Sequence, residues 1–164
     1  MTQPAHLEQA RFNMIEQQIR PWEVLDPAVL ALLSVVKREE FVPLAHKALA
    51  FVDMELPLPG GQCMLAPKVE ARLLQELNVQ PHEKVLEIGA GSGYMAALLA
   101  HRAQHVTTLE IVPELAQLAA ANLKRAAVLN AAVRQGDGSR GLPAEAPFDA
   151  IVLSGSVAEL PQGL

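Results

Sequence analysis

Three alternate glycines, at positions 89, 91 and 93, are the residues whose spacing first suggests chemistry. They follow the apolar run Lys84–Ile88 and precede an Ala- and Leu-rich stretch, which predicts a strand, a tight turn and a helix. Because glycine has no Cβ, the backbone of this turn can approach a ligand closely, and the following helix presents unpaired N–H groups. We therefore expect a nucleotide-like cofactor that contacts Gly89, Gly91, Ser92 and Gly93.

The charge beside this turn distinguishes between two cofactors. A dinucleotide fingerprint needs its third glycine one position later, where this sequence has Tyr94. Glu87 precedes the first glycine by two residues, at the carboxyl end of the predicted strand. A carboxylate there attracts the sulfonium and amino groups of S-adenosylmethionine and repels the pyrophosphate of NAD. The sequence therefore favours S-adenosylmethionine, with an NAD-dependent oxidoreductase as the weaker alternative.

Two further acidic positions fit a nucleotide site at the same sheet edge. Glu110 lies about twenty residues after the first glycine, the offset at which a carboxylate reaches a ribose diol. Asp137 and Gly138 follow another predicted strand, and the Asp137 carboxylate could accept a hydrogen bond from an adenine amino group. The alternatives are solvated strand ends for Glu87 and Glu110 and a plain turn for the segment Gly136–Gly138.

Composition limits the class of protein. The chain has 164 residues, of which 51% are hydrophobic and 19% charged, which predicts one globular unit with a sizeable core. A net charge of −5 without a basic cluster argues against a nucleic-acid partner. No segment predicts a membrane span or a secretory signal, and Cys63 is the only cysteine, so we expect a cytoplasmic protein without a disulfide. His101 and His105 lack a third ligand nearby, so no metal site is predicted.

The predicted elements form two segments of one structural unit. Residues 1–80 read as an N-terminal helical cap with a Pro- and Gly-rich loop, and residues 81–164 as a partial cofactor-binding domain. Helices are predicted over residues 7–19, 26–36, 44–50, 67–77, 95–101 and 113–127, and strands over 84–88, 106–110, 131–135 and 148–153. Alternating strands and helices predict the α/β class, with a parallel sheet and helices on both faces.

Five segments, taken together, resemble one family over nearly the whole chain. They are residues 11–20, 38–43 (Arg-Glu-Glu-Phe-Val-Pro), 85–94, 136–138 and 146–151, and in this order the sequence resembles the protein-L-isoaspartate O-methyltransferases. The resemblance implies a Rossmann-like methyltransferase fold that uses S-adenosylmethionine to esterify the carboxylate of isomerised aspartate in damaged proteins. It also implies that Glu87 and the three glycines hold the methionine part of the cofactor. Glu110 would then hold the ribose, and Asp137 with Gly138 the adenine.

The loop that binds substrate in this family differs here. Its counterpart is Gln62, Cys63, Met64, Leu65, Ala66 and Pro67, with Cys63 and Leu65 at the positions of the family's threonine and serine. A carboxylate is already ionised at neutral pH, so its methylation requires orientation rather than a strong base. Leu65 cannot donate a hydrogen bond, and the sequence assigns no catalytic residue. Ser154 and Ser156 are either substitutes for the lost hydroxyls or ordinary loop serines.

The resemblance also leads us to expect three strands beyond the last predicted one. Without them the sheet has an unpaired edge, which predicts either a fragment of a longer protein or self-association through that edge. Three functions remain open. They are an isoaspartyl-type methyltransferase or a relative with another acceptor, a non-catalytic module with a cofactor fold, and the oxidoreductase.

Overall fold

The computed structural model describes residues 3–164, so the first two residues of the predicted cap lie outside it. The α-helices of this part of the chain are Gln3–Met14 (α1), Pro27–Val35 (α2), Pro67–Leu77 (α3), Tyr94–Ala100 (α4) and Pro113–Arg125 (α5). The strands are Leu56–Pro57 (β1), Cys63–Met64 (β2), Lys84–Ile88 (β3), His105–Glu110 (β4), Ala131–Gln135 (β5) and Ala150–Leu153 (β6). Short 3₁₀ turns at Arg38–Glu40 and Leu44–Leu49 join α2 to β1.

Strands β3 to β6 form one parallel sheet in the order β5-β4-β3-β6. Helices α4 and α5 pack against this sheet, and α3 packs against α4. The opposite face is covered around Leu86 by the segment that joins β5 to β6. Glu145 of that segment accepts hydrogen bonds from Thr107 on β4 and Arg134 on β5. The α/β class and the parallel sheet are thus confirmed.

Local signals explain where several helices begin. Asp26 caps α2 by accepting a hydrogen bond from the backbone N–H of Ala28, and Pro27 occupies the first helical position. Pro67 opens α3 in the same way, and Asn78 ends that helix in the left-handed conformation. The bounds of α3 are those predicted from the sequence.

Other predicted bounds need correction. The helix predicted over residues 7–19 begins earlier and changes at Met14 into a π-helix, Ile15–Ile19. Leu7 and Phe12, two apolar residues of this predicted helix, are exposed, whereas Met14, Ile15 and Ile19 are buried. The last strand covers Ala150–Leu153 rather than 148–153, and the segment predicted as loop contains the two-residue strands β1 and β2.

The cap residues and the sheet share one hydrophobic core. Ile19 and Phe41 from the first eighty residues are buried in the same cluster as Leu98 of α4 and Val106 of β4. The Phe41 ring lies 5.4 Å from the ring of Tyr94, measured between centroids. Hence the segment before β3 is held against the sheet by apolar packing. Within residues 3–164, no helix has both the length and the apolar character that crossing a membrane requires.

Candidate functional site

A cavity of about 330 Å³ opens at the carboxyl edge of the parallel sheet. Residues that follow β3, β4, β5 and β6 all contribute to its wall, as expected for a ligand site on an open α/β sheet. Its volume falls within the range of small-molecule sites. Among the predicted site residues, those that line it are Gln62, Cys63, Gly89, Gly91, Glu110, Asp137, Gly138, Ser154 and Ser156.

Glu110 is the carboxylate most firmly placed in this wall. One oxygen, Oε2, accepts a hydrogen bond from Gly91 N at 2.9 Å, and Oε1 accepts one from Val112 N at 3.0 Å. Each carboxylate oxygen can accept a second bond. The end of β4 and the glycine turn therefore hold this carboxylate in place, with acceptor capacity left for a pair of ligand hydroxyls.

The glycine turn approaches its neighbours closely at two positions. Gly89 has φ +95°, and a Cβ there would lie 3.1 Å from the carbonyl oxygen of Ser154. Gly93 has φ +84° and precedes α4, where a Cβ would lie 3.1 Å from the Ala119 carbonyl oxygen of α5. A side chain at either position would thus be strained both by conformation and by contact.

Two predicted cofactor residues of this turn lie away from the cavity wall. Ser92 is buried, and its carbonyl oxygen accepts a hydrogen bond from Asn122 Nδ2 of α5 at 2.8 Å. Gly93 allows α4 and α5 to pack closely. Neither residue lines the main cavity, because both lie directly before α4 and pack against α5. Their cofactor contacts remain predictions, whereas their packing roles are visible.

Glu87 lies beneath the site rather than in its wall. Its side chain is fully buried, and its two oxygens accept hydrogen bonds from the hydroxyls of Thr108 and Ser154, both at 2.7 Å. Burial raises the pKa of Glu87 to about 7, and Glu70 and Glu110 add to this through charge repulsion. A cleft of about 20 Å³, large enough for one water molecule, lies beside it and connects it with Glu70.

The pair Asp137 and Gly138 occupies the β5 side of the cavity. Asp137 is exposed and accepts a hydrogen bond from Ser139 N at 2.9 Å, which lowers the pKa of its carboxyl group. Gly138 is buried, and a Cβ there would lie only 2.5 Å from Ile88 Cγ2. Glycine is therefore required where β5 leaves the sheet. The contact of Asp137 and Gly138 with an adenine stays a prediction.

The predicted substrate loop divides between two environments. Gln62 and Cys63 line the main cavity, whereas Leu65 borders the small cleft and Pro67 begins α3. The thiol of Cys63 lies 3.5 Å from a carboxylate oxygen of Glu55. Desolvation and this carboxylate raise the pKa of the thiol, so it is a poor nucleophile.

Two functional candidates escaped the sequence analysis, Arg38 and Glu70. Both are buried, and they form an ion pair beneath the substrate loop. Glu70 lies on the inward face of α3 with Pro67, Ala71 and Leu74. Glu70 is thus a charged residue within the apolar stripe of a helix. A charge in such a place needs a partner in the core, so this pattern could have been used to predict the ion pair from the sequence. Burial raises the pKa of Glu70 to about 7, against the lowering effect of Arg38.

The electrostatic character of the cavity is acidic. Of the described residues in its wall, the side chains that carry charge are Glu110 and Asp137, and none is Lys, Arg or His. A pyrophosphate would find no cationic partner there, whereas a sulfonium or an ammonium group would meet carboxylates. The acidic lining without a basic side chain among its described residues fits S-adenosylmethionine better than NAD. Glu110 and the glycine turn suit the nucleotide part of either cofactor.

The fold and this site define a Rossmann-like methyltransferase architecture. A solved protein-L-isoaspartate O-methyltransferase superposes on the chain with a TM-score of 0.77 at 25% identity, over 93% of this chain and 50% of the other. A Plasmodium falciparum structure, described as a complex of a protein of that kind with S-adenosyl-L-homocysteine, gives a TM-score of 0.73 at 22% identity. It covers 94% of this chain and 75% of its own.

Comparison of the sequence identifies the family of this chain more specifically than comparison of the fold does. A family model described as protein-L-isoaspartate(D-aspartate) O-methyltransferase matches residues 9–164. The protein-L-isoaspartate O-methyltransferase 1 of Rhodopseudomonas palustris is 47% identical over 94% of this chain and 63% of its own length. A Methanoculleus marisnigri protein-L-isoaspartate O-methyltransferase is 43% identical over 94% of this chain and 70% of its own. The chain belongs to the protein-L-isoaspartate O-methyltransferase family, and it spans about two thirds of the length of these relatives.

Proposed function

We propose that this chain binds S-adenosylmethionine at the carboxyl edge of the sheet and transfers its methyl group to the carboxylate of isoaspartate in damaged proteins. Family membership supports the reaction, since the relatives carry the name of that activity. The observation that carries the cofactor assignment is Glu110, fixed by two backbone N–H groups in the wall of a cavity whose described lining has no basic side chain.

The bound cofactor would supply an electrophilic methyl group on a positively charged sulfur. Glu110 would accept hydrogen bonds from the ribose hydroxyls, and Asp137 would accept one from the adenine amino group. Glu87 would contribute negative charge beneath the methionine end, through its ionised form. Gly89 and Gly91 would let the backbone approach this part of the ligand.

The residues near the acceptor would act by orientation and by exclusion of water. An acceptor carboxylate is ionised at neutral pH, so no side chain has to remove a proton from it. Gln62 lines the cavity, and its side-chain amide can donate a hydrogen bond to one carboxylate oxygen while the other attacks. Leu65, beside the cleft, would limit access of water.

Calorimetric titration tests the cofactor site. We expect micromolar binding of S-adenosylmethionine and of S-adenosylhomocysteine, and no binding of NAD. Glu110→Ala should remove the binding, whereas Glu114→Ala, which deletes an exposed carboxylate four residues later, should leave it unchanged. If the folded chain binds neither methyl cofactor, or binds NAD with similar affinity, the proposed function is wrong.

A related methyltransferase with another acceptor is the second candidate. The observation in its favour is the loop itself, in which Cys63 and Leu65 present a thiol and an apolar side chain. The hydroxyl of Ser154, a sequence candidate for replacing the loop hydroxyls, already donates to Glu87. Methyl transfer to an isoaspartyl peptide, compared with the same peptide containing normal aspartate, distinguishes the two candidates. Cofactor binding without transfer to the isoaspartyl peptide would favour the second acceptor or a non-catalytic module.

Self-association through the sheet edge is a further part of this proposal. Strand β6 pairs with β3, and no other described strand pairs with its second edge. The Ser154 N–H points toward β3, where it bonds to the Ile88 carbonyl oxygen. Because successive residues of a strand direct their N–H groups to opposite sides, the N–H groups of Leu153 and Ile151 face the open side. A second copy could pair with these groups.

We also propose the cytoplasm as the compartment of this chain. The support is the single cysteine, Cys63, which is a free thiol and suits a reducing environment. Fractionation of cells that express the chain, with detection in the cytosolic fraction, is the corresponding measurement.

A further inference from the structure

Arg38 makes contacts that the proposed reaction does not yet explain. Its side chain is fully buried, in the 3₁₀ turn Arg38–Glu40 of the segment before β1. A buried guanidinium is costly unless each donor finds a partner. The positions of its hydrogen-bond acceptors therefore show which segments of the chain Arg38 connects.

The partners of Arg38 belong to separate segments. Its Nε donates to the carbonyl oxygen of Ala50 at 3.0 Å, and its Nη2 donates to the carbonyl oxygen of Leu65 at 2.7 Å. Its Nη1 pairs with the Glu70 carboxylate of α3. Its guanidinium carbon also lies 5.3 Å from the centroid of the Tyr94 ring, at the start of α4. One side chain thus joins the turn before β1, the substrate loop, α3 and the helix that follows the glycine turn.

These contacts restrain the substrate loop at its carboxyl end. Leu65 follows β2, and Glu70 lies in the first turn of α3, directly after the loop. Gln62 and Cys63, the loop residues in the cavity wall, are three and two positions before Leu65. A displacement of the Leu65 carbonyl would therefore move the side chains that face an acceptor. The other described contacts of the loop backbone come from the hairpin, where Leu58 N donates to the Gln62 carbonyl oxygen, and from the start of α3, where Val69 N donates to the Ala66 carbonyl oxygen.

We propose that Arg38, paired with Glu70, is a positioning residue that fixes the substrate loop against the cavity through the Leu65 carbonyl oxygen. The proposal rests on the proposed methyl transfer for its kinetic consequence, but its structural consequence is independent of activity. Because the loop presents no hydroxyl of its own at Cys63 and Leu65, its backbone position has to orient the acceptor.

The chain offers a matched control for removing this ion pair. Arg11 and Glu39 form a second buried Arg–Glu pair, and none of its described hydrogen bonds reaches the loop. The test variant is Arg38→Met with Glu70→Met, and the control is Arg11→Met with Glu39→Met. Each double replacement removes both charges, so neither leaves an unpaired charge in the core.

The first measurement is kinetic. The test variant should raise the KM for an isoaspartyl peptide about tenfold, while the Kd for S-adenosylhomocysteine stays within about threefold of the unmodified chain. The control variant should change neither constant beyond about threefold. Equal KM values for the two double variants would overturn the proposal, because a general loss of core stability would then explain both.

The second measurement needs no activity. Hydrogen exchange over residues 56–66 reports the Leu58 amide and the hairpin ladder. We expect exchange there about tenfold faster in the test variant than in the control. Should the test double variant fail to fold, Arg38→Lys keeps the charge opposite Glu70 and is measured in its place. Unchanged exchange in a folded variant would overturn the proposal. If the unmodified chain transfers no methyl group, the proposed function fails and this measurement still decides the role of Arg38.

Discussion

Glu110 serves both the fold and the cavity. Its two oxygens accept the backbone N–H groups of Gly91 and Val112, which brings the glycine turn against the end of β4. The same carboxylate lies in the cavity wall. A buried N–H group that loses its acceptor costs free energy, so we expect this residue to contribute to stability as well as to the proposed ligand binding. The two effects can be separated by measuring the protein without ligand.

Replacing Glu110 should weaken the fold without any cofactor present. We expect Glu110→Ala to lower the free energy of unfolding by about 1–3 kcal/mol, since two N–H groups lose their acceptor. Urea denaturation of the unliganded chain measures this difference. Glu114→Ala, at an exposed position, should change the free energy by less than about 0.5 kcal/mol. Equal effects of the two replacements would contradict the role given to Glu110 in the turn.

Glu87 should make stability depend on pH. Its pKa is raised from 4.5 to about 7, so between these values the folded chain holds a proton that the unfolded chain releases. The resulting stabilisation is fully present below pH 4.5 and is lost as the pH rises through 7. The free energy of unfolding should therefore be lower at pH 8 than at pH 5.

Glu87→Gln removes this ionisation and keeps the shape of the side chain. We expect the variant to be more stable than the unmodified chain at pH 8, on the order of 1–2 kcal/mol. At pH 5 the two should be nearly equal. Urea denaturation at both pH values measures the effect, and Glu114→Gln is the exposed control. A loss of stability at pH 8 in Glu87→Gln would show that the ionised carboxylate is the favoured form.

At the scale of elements, the glycine turn sets the distance between two helices. Gly93 precedes α4 with φ +84°, and the carbonyl oxygen of Ala119 on α5 lies where a Cβ would contact it. Asn122 of α5 also donates to the Ser92 carbonyl oxygen. The turn predicted as a ligand site is therefore also the packing surface between α4 and α5.

Gly93→Ala should consequently destabilise the fold. The left-handed backbone and the 3.1 Å contact with Ala119 predict a loss of about 1–3 kcal/mol. Gly136→Ala is the matched control, because a Cβ added at Gly136 would meet no atom within 4 Å and its φ is not positive. Thermal melting of both variants measures the difference. If Gly136→Ala costs as much as Gly93→Ala, the contact with α5 does not explain the requirement for glycine.

At the scale of the whole molecule, the sheet has an accessible edge at β6. Ile151 of this strand is 39% exposed, and it lies beside Leu86 on the face covered by residues 140–148. A strand of a second copy that pairs with the free edge of β6 would therefore convert the monomer into a dimer.

Sedimentation should detect association that depends on concentration. We expect a dimer at tens of micromolar, and Ile151→Lys should shift the chain toward the monomer, because a charge beside an open edge opposes strand pairing. Val35→Lys introduces the same charge at an exposed position of α2 and should have no effect on association. A monomer across the whole concentration range would contradict self-association through β6.

Much of the site follows from patterns within one stretch of chain. The strand β3, the tight glycine turn after it, α3 with Pro67 at its start, and Glu110 at the end of β4 were all predicted from the sequence. Each depends on local conformational preference or on the fixed geometry of one strand-helix-strand unit. The helix over residues 7–19 was less well predicted, since its regular α-helical part ends at Met14 and Phe12 is exposed.

The sequence by itself determined the α/β class and the family, and it predicted the sheet edge at which the cavity lies, since these depend on spacing along neighbouring segments. Only the tertiary structure decided that Glu87 is buried beneath the cavity and that Arg38 holds the Leu65 carbonyl oxygen. Arg38 is 27 residues from Leu65 and 32 from Glu70. No local preference encodes such contacts, because they arise when apolar burial brings distant segments together and buried charges must then find partners.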